Sequence, residues 1–138
     1  MIMPIEKQIF SGKRKTAVAK LRLRPGKGNI VFNGTSYQLL NLFHKLALSE
    51  PLRIFEHEMG EPLTHDFIVN VHGGGKESQI QAARLTIACS LIKLTGSETL
   101  KKAFIAYDRN MVVEDARRKE ASKPGDSAPR AKRQKSYR

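Results

Sequence analysis

The run His72-Gly73-Gly74-Gly75-Lys76, placed where an alternating segment gives way to a helical one, is the first stretch of this chain that could handle phosphate. Glycines let a backbone approach a ligand closely, and the free amides at a helix start favour an anion. A nucleotide-binding phosphate loop needs four residues between its glycines and then Gly-Lys-Ser/Thr. Here Glu77 follows Lys76, so that pattern fails. The same HGGG run resembles an esterase oxyanion turn, but the chain holds no G-x-S-x-G nucleophile elbow. Two readings stay open: a tight turn using glycine for backbone freedom, or a turn against which an RNA backbone lies.

Other reactive residue types carry less. His44, His57, His65 and His72 show no metal-ligand spacing and no partnering cysteine pair, so no metal site is expected. Glu56, Glu58 and Glu61 crowd one loop region with no nucleophile beside them, which fits a solvated edge. Cys89, the single cysteine, sits in the apolar part of a helical pattern and is expected to be a small core residue. It excludes an intramolecular disulfide framework and a multi-cysteine zinc site.

Cations are the stronger signal. Gly12-Lys13-Arg14-Lys15-Thr16 lies between two expected strands, and three consecutive cations cannot share one buried face. Lys20, Arg22 and Arg24 continue the charge along the next strand, making a surface suited to phosphate irrespective of base sequence. A second cluster, PRAKRQKSYR at 129–138, spaces its cations with Gln134, Ser136 and Tyr137. Arginine forks onto phosphate, and glutamine or tyrosine adds base-edge contacts or stacking. A solubilising tail or an import signal would share that composition.

These residues need elements to hold them. Lys7 to Ser11 forms a short first strand. In Thr16–Arg24, Ala17, Ala19, Leu21 and Leu23 alternate with Val18 and three cations, as in a strand with one covered face. The turn Pro25-Gly26-Lys27-Gly28 leads to a strand at Asn29–Phe32, and Asn33-Gly34 signals a hairpin, so a meander of antiparallel strands is expected. Gln38–Phe55 is helical, with Pro51 expected to split it into two short helices. His65–His72 returns to alternation with apolar residues on both faces, as in a more central strand. A long helix is expected over Lys76–Thr95, with Ile80, Ala83, Ile87, Leu91 and Leu94 as its core stripe and Gly96 as its stop. Thr95 and Glu98 stand at capping-box spacing for a last helix through about Tyr107. The order implies an α+β body, helices on one face of a small sheet.

The chain has 138 residues and a formal net charge of +12, enough for one domain with an appendage. Residues 1–28 hold eight basic side chains and one acidic, residues 29–115 eight and ten, and residues 116–138 nine and two. A near-neutral body therefore lies between two cationic ends, and a polyanionic partner is expected. Residues 116–138 contain no Val, Ile, Leu, Met or Phe, so they form no core and are expected to be disordered in the free protein. Extended, they reach roughly 75 Å. The expected division is a globule at 1–115 and a tail at 116–138. The first residues lack the pattern of a signal peptide, and the longest nearly apolar run, Leu85–Ile92, is too short to span a bilayer. A soluble cytoplasmic protein is expected.

Together the motifs resemble the universal small-subunit ribosomal protein S-nine family, in its archaeal and eukaryotic branch. The matches are SGKRKTAVA at 11–19, PGKG at 25–28, NG at 33–34, EPL at 50–52, V-H-GGG at 71–75, QAAR at 81–84, YDRNMVV at 107–113 and PRAKRQKSYR at 129–138. The resemblance implies a fold like the second domain of ribosomal protein S-five, with a left-handed β-α-β crossover and an extended basic C-terminal tail. It also implies a non-enzymatic constituent of the small-subunit head, without cofactor, membrane or small-molecule substrate. Its partners would be small-subunit rRNA, P-site tRNA and neighbouring head proteins. Carried onto this sequence, rRNA would be met by Lys13, Arg14, Lys15, Lys20, Arg22, Gly73, Gly74, Gly75, Lys76, Arg109, Arg117, Arg118 and Arg130. The tail residues nearest the tRNA anticodon stem-loop would be Lys132, Arg133, Lys135, Tyr137 and Arg138. Two positions depart from the family pattern: Cys89 stands where relatives often carry Arg, and Ser78 where a Gly is common. The rivals are a free-standing nucleic-acid-binding factor, which would hold DNA as well as RNA, and a small phosphotransferase, which would bind nucleotide.

Overall fold

A computed structural model of the protein describes residues 8–125, 128–132, 134 and 136. The elements are β1 (Ile9–Arg14), β2 (Ala17–Pro25), β3 (Ile30–Phe32), β4 (Thr35–Ser36), α1 (Leu42–Met59), β5 (His65–His72), α2 (Lys76–Thr95) and α3 (Glu98–Tyr107). Single 3₁₀ turns at Tyr37–Leu39 and Arg109–Met111 precede α1 and follow α3. The five strands form one sheet in the order β1-β2-β5-β3-β4, and only β3 and β5 run parallel.

Alternation decides which face of the sheet is covered. Phe10, Ala17, Ala19, Leu21, Leu23, Ile30, Phe32, Phe67, Val69 and Val71 are buried, and the register stacks them on one side. Lys13, Lys20, Arg22 and Arg24 come out on the other side, which no described helix covers. The helices lie on the first face, as expected of this α+β body. Helix α2 packs against β1, β2 and β5, while α1 packs on α2 and α3. Being covered from two sides, α2 buries more than the expected stripe. Ile80, Ala83, Ile87 and Leu91 are buried and Leu94 half-buried, and Ala82, Leu85, Thr86, Ala88 and Ser90 are buried as well. The two buried hydroxyls are satisfied along the helix: Thr86 donates to the Ala82 carbonyl and Ser90 to that of Ile87, each at 2.7 Å.

Four local expectations fail. Glu56 and Glu58 do not lie in a loop: α1 continues past Phe55 to Met59 and carries both in its last turns, leaving only Glu61 beyond the Gly60 cap. The strands do not form a meander, because β5 inserts between β2 and β3 and pairs parallel with β3. Beside β2, β5 aligns eight residues, Val18↔His72 through Pro25↔His65, whereas β3 is only three residues long. The longer strand supplies the longer ladder and takes the central place. Pro51 does not break α1, which runs unbroken for 18 residues to a left-handed Gly60 cap. The missing N–H frees only the Ala47 carbonyl, and Pro51 itself is buried with Leu48, Leu52 and Phe55. Finally, α3 is capped by Ser97 rather than Thr95: the Ser97 hydroxyl accepts from the Leu100 amide. Thr95 instead donates to the Leu91 carbonyl at 3.0 Å.

Candidate nucleic-acid interface

The first strand reaches further than its apolar pattern suggests. It extends through Lys13 and Arg14, leaving only Lys15 and Thr16 as the turn, with Lys15 at φ 54°. Alternation then separates the three neighbouring cations. Lys13 projects with Ile9 and Ser11 onto the uncovered face, Arg14 points to the helix side, and Lys15 stands exposed at the hairpin tip. Along β2, Lys20, Arg22 and Arg24 extend the uncovered face as an exposed row, about 7 Å apart at the spacing of alternate strand residues.

The glycine turn closes on this hairpin. Gly73 and Gly74 have φ of +75° and +70°. A Cβ on Gly73 would lie 2.7 Å from the Thr16 carbonyl oxygen, and one on Gly74 2.9 Å from Ala17 Cβ. Both glycines are therefore required by the fold itself, for backbone freedom and for contact with the turn beneath. Gly75 differs: its φ of −92° suits any residue, and nothing lies within 4 Å of an added Cβ. Lys76 opens α2 and is exposed.

Arg14 is engaged internally. Its guanidinium pairs with Asp115 and donates through Nε to Gln81 Oε1 at 2.8 Å, leaving the side chain 17% exposed. Arg84, next on the same side of α2, reaches Asp108 Oδ2 at 2.8 Å and Glu50 Oε2 at 2.6 Å, the latter a charge contact with poor hydrogen-bond alignment. It thereby ties α1 and α2 to the end of α3. Burial pushes the Asp108 carboxyl up, but the Asn110 amide and Arg84 more than reverse this and leave it below its ordinary value. That clamp holds the 3₁₀ turn whose Arg109 is exposed. The hairpin tip, the glycine turn and the start of α2 thus share one pole of the molecule, while the Arg109 turn lies further along α2, beside a cavity of about 120 Å³ lined by Arg14, Gln81, Arg84, Asp108 and Asp115 among others.

Among the described strand residues, Asp66 is the one acid on the uncovered face, and it too is occupied. Its Oδ1 accepts the amides of Lys27 and Asn29 at 2.9 Å each. Those amides, Asn29 first, hold its pKa below the ordinary value. Gly26 lies so close to this carboxylate that a Cβ there would fall 2.0 Å from its Cγ. The expected turn at 25–28 is therefore built around an aspartate that the spacing alone does not reveal.

The remaining residues fall outside this pole. Arg117 and Arg118 are exposed just beyond it, and Arg130 pairs with Glu120 at 2.8 Å on the exposed surface. Lys132 is exposed, whereas Arg133, Lys135, Tyr137 and Arg138 lie outside the described residues. No helix or strand occurs among the described residues of 116–138. Cys89 is half-buried at the edge of the core rather than within it as expected, 3.6 Å from the Val112 carbonyl, and burial pushes its thiol pKa up. His44 pairs with Glu77 at 2.8 Å. Among the described residues no His, Cys, Asp and Glu cluster is arranged to hold a metal, and no helix is long and apolar enough to cross a membrane.

The family model described as ribosomal protein S9/S16 matches residues 12–138. The chain belongs to that ribosomal protein family. Its similarity to the archaeal branch is direct. It is 42% identical over 130 residues to the small ribosomal subunit protein uS9 of Methanococcus vannielii, covering 92% of this chain and 95% of the relative. A protein of the same name from Methanococcus maripaludis strain C7 is 41% identical over 131 residues, with the same coverage. The family is one of ribosomal structural proteins, not of enzymes.

Proposed function

We propose that this protein is a structural constituent of the small ribosomal subunit whose globule, residues 1–115, binds head rRNA and whose tail, 116–138, runs toward the anticodon stem-loop of P-site tRNA. The rRNA contacts are assigned to Lys13, Lys15, Lys20 and Arg22 with the adjoining Arg24, to the Gly73–Gly75 turn with Lys76, and to Arg109, Arg117, Arg118 and Arg130. Arg14 belongs to the same pole as a structural support. Lys132, Arg133, Lys135, Tyr137 and Arg138 are the tRNA-proximal positions. Neighbouring head proteins complete the partner set.

One observation carries the reading: a row of exposed cations on an uncovered sheet face, with the only acid on that face in the described strands held by turn amides. Such a surface repels itself unless phosphates neutralise it. The test is the salt dependence of binding between the full chain and a small-subunit rRNA fragment. Replacing Lys20, Arg22 and Arg24 together by Gln lowers the slope of log K against log salt by about 2 to 3 if each meets a phosphate. An unchanged slope refutes the assignment of this face, and equal affinity for duplex DNA favours a free-standing nucleic-acid factor instead.

A further inference from the structure

We propose that Glu114 and Asp115 form a guide that fixes the direction in which the C-terminal segment leaves the globule. The chain is anchored just upstream: Met111 is fully buried, and the Val113 amide donates to the Arg109 carbonyl at 3.1 Å. The next two residues are then fastened to the sheet rather than released. Glu114 Oε1 accepts the Lys13 amide at 3.1 Å. Because β1 stands at the edge of the sheet, that amide is a backbone donor a neighbouring strand would otherwise satisfy. Asp115 pairs with Arg14, which Gln81 of α2 holds from the other side. Its side chain is only 11% exposed, although the segment that follows it is cationic.

Asp115 also bends the chain that follows. Its Oδ1 accepts the Arg117 amide at 2.9 Å, an Asx turn, while Oδ2 receives Arg117 Nε at 2.8 Å and Nη2 at 2.6 Å. Arg118 Nη1 returns to the Asp115 carbonyl at 2.8 Å. One carboxylate thus joins a cation of β1 to a cation of the departing segment, and the pairing with Arg117, ahead of that with Arg14, holds its pKa well below the usual carboxylate range. A segment tethered only by its covalent bond explores a full hemisphere. Fixing its first residues confines it to a cone and raises its effective concentration along one path. The purpose of the guide rests on the proposed RNA-seeking role of 116–138, but its geometry belongs to the free chain and is tested there.

The experiment measures spin-label distances in the full-length protein carrying Cys89→Ala, with labels at Glu56→Cys on α1 and Lys119→Cys. With Asp115 intact the distribution is narrow. Asp115→Ala, and separately Arg14→Gln from the other side of the pair, should spread it over up to about 13 Å, the reach of the four residues from 115 to 119. Circular dichroism should keep the globule's signal in both variants. An unchanged width in both overturns the proposal. So does broadening accompanied by loss of the globule's own signal, since Asp115 would then be a residue of the fold and not of the exit. RNA affinity enters neither result, so failure here leaves the rRNA reading standing, and the reverse holds too.

Discussion

Replacing Gly74 by alanine separates what the glycine turn owes to the fold from what it offers a ligand. Gly74 sits at φ +70°, where an L-residue costs roughly 1–2 kcal/mol. The added methyl would also lie 2.9 Å from Ala17 Cβ and 3.0 Å from Ala17 N, atoms fixed in the middle of a hairpin that cannot swing aside. Overpacking of that kind costs about 1–3 kcal/mol, so the total is about 2–5 kcal/mol. Gly96 is the control: at φ +63° with nothing within 4 Å of its Cβ, it carries the dihedral cost alone. The entropy that alanine removes from the unfolded chain is common to both substitutions and cancels in the difference. Gly75→Ala, unstrained and uncrowded, should leave stability near wild type. Urea or thermal unfolding of the full chain without RNA reads the series, and Gly74→Ala should melt about 4–12 °C below Gly96→Ala. If the two variants melt together, the hairpin does not occupy the space beside Gly74. The turn would then owe its glycines to something outside the fold.

Two further outcomes are expected, one at the Asp66 turn and one in the tail. Asp66 has a folded pKa below its ordinary 3.8, so it contributes stability above that pH and loses it as pH falls through the folded value. The stability gap between wild type and Asp66→Asn should therefore shrink on acidification below about pH 4, and a gap constant from pH 7 to pH 3 would refute the role of its amide hydrogen bonds. Removing residues 135–138 should leave incorporation into small subunits nearly intact but speed dissociation of P-site tRNA. Dissociation identical to wild type counts against the tail assignment.

Elements whose pattern is continuous were legible in the sequence. Helix α2 spans Lys76–Thr95 as its periodicity indicates, and Gly96 stops it in the left-handed conformation. The core face of β2 is also as its alternation implies. What failed depended on competition between distant segments. No local signal at Asn29–Phe32 says that β5 will intervene, because a three-residue strand takes whichever partner the longer ladder leaves it. Pro51 looked like a breaker because propensity weighs a lost N–H, whereas burial of its ring against the core is tertiary. At the candidate interface the cations were visible and their partners were not. Glu114-Asp115, two adjacent acids just before a cationic tail, were the available clue to the anchoring pair. Asp66 offered none, since its partners Lys27 and Asn29 stand nearly forty residues earlier.

That distinction changes how much binding a basic motif can supply. Lys13, Arg14 and Lys15 form three consecutive cations, yet a strand sends neighbours to opposite faces, and the middle one meets a carboxylate from the far end of the globule. Arg14 brings its charge already paired and largely withdrawn from water, so exchanging Asp115 for a phosphate gains little while releasing the exit of the tail. The motif should therefore release counterions for about two phosphates and not three, a difference of roughly 0.7–0.9 in salt slope. By contrast, Lys20, Arg22 and Arg24 share one uncovered face, and alternation keeps all three pointing outward. Within β2 the count of cations and the count of available contacts coincide; at the hairpin they do not, because there the charge also fastens the tail to the sheet.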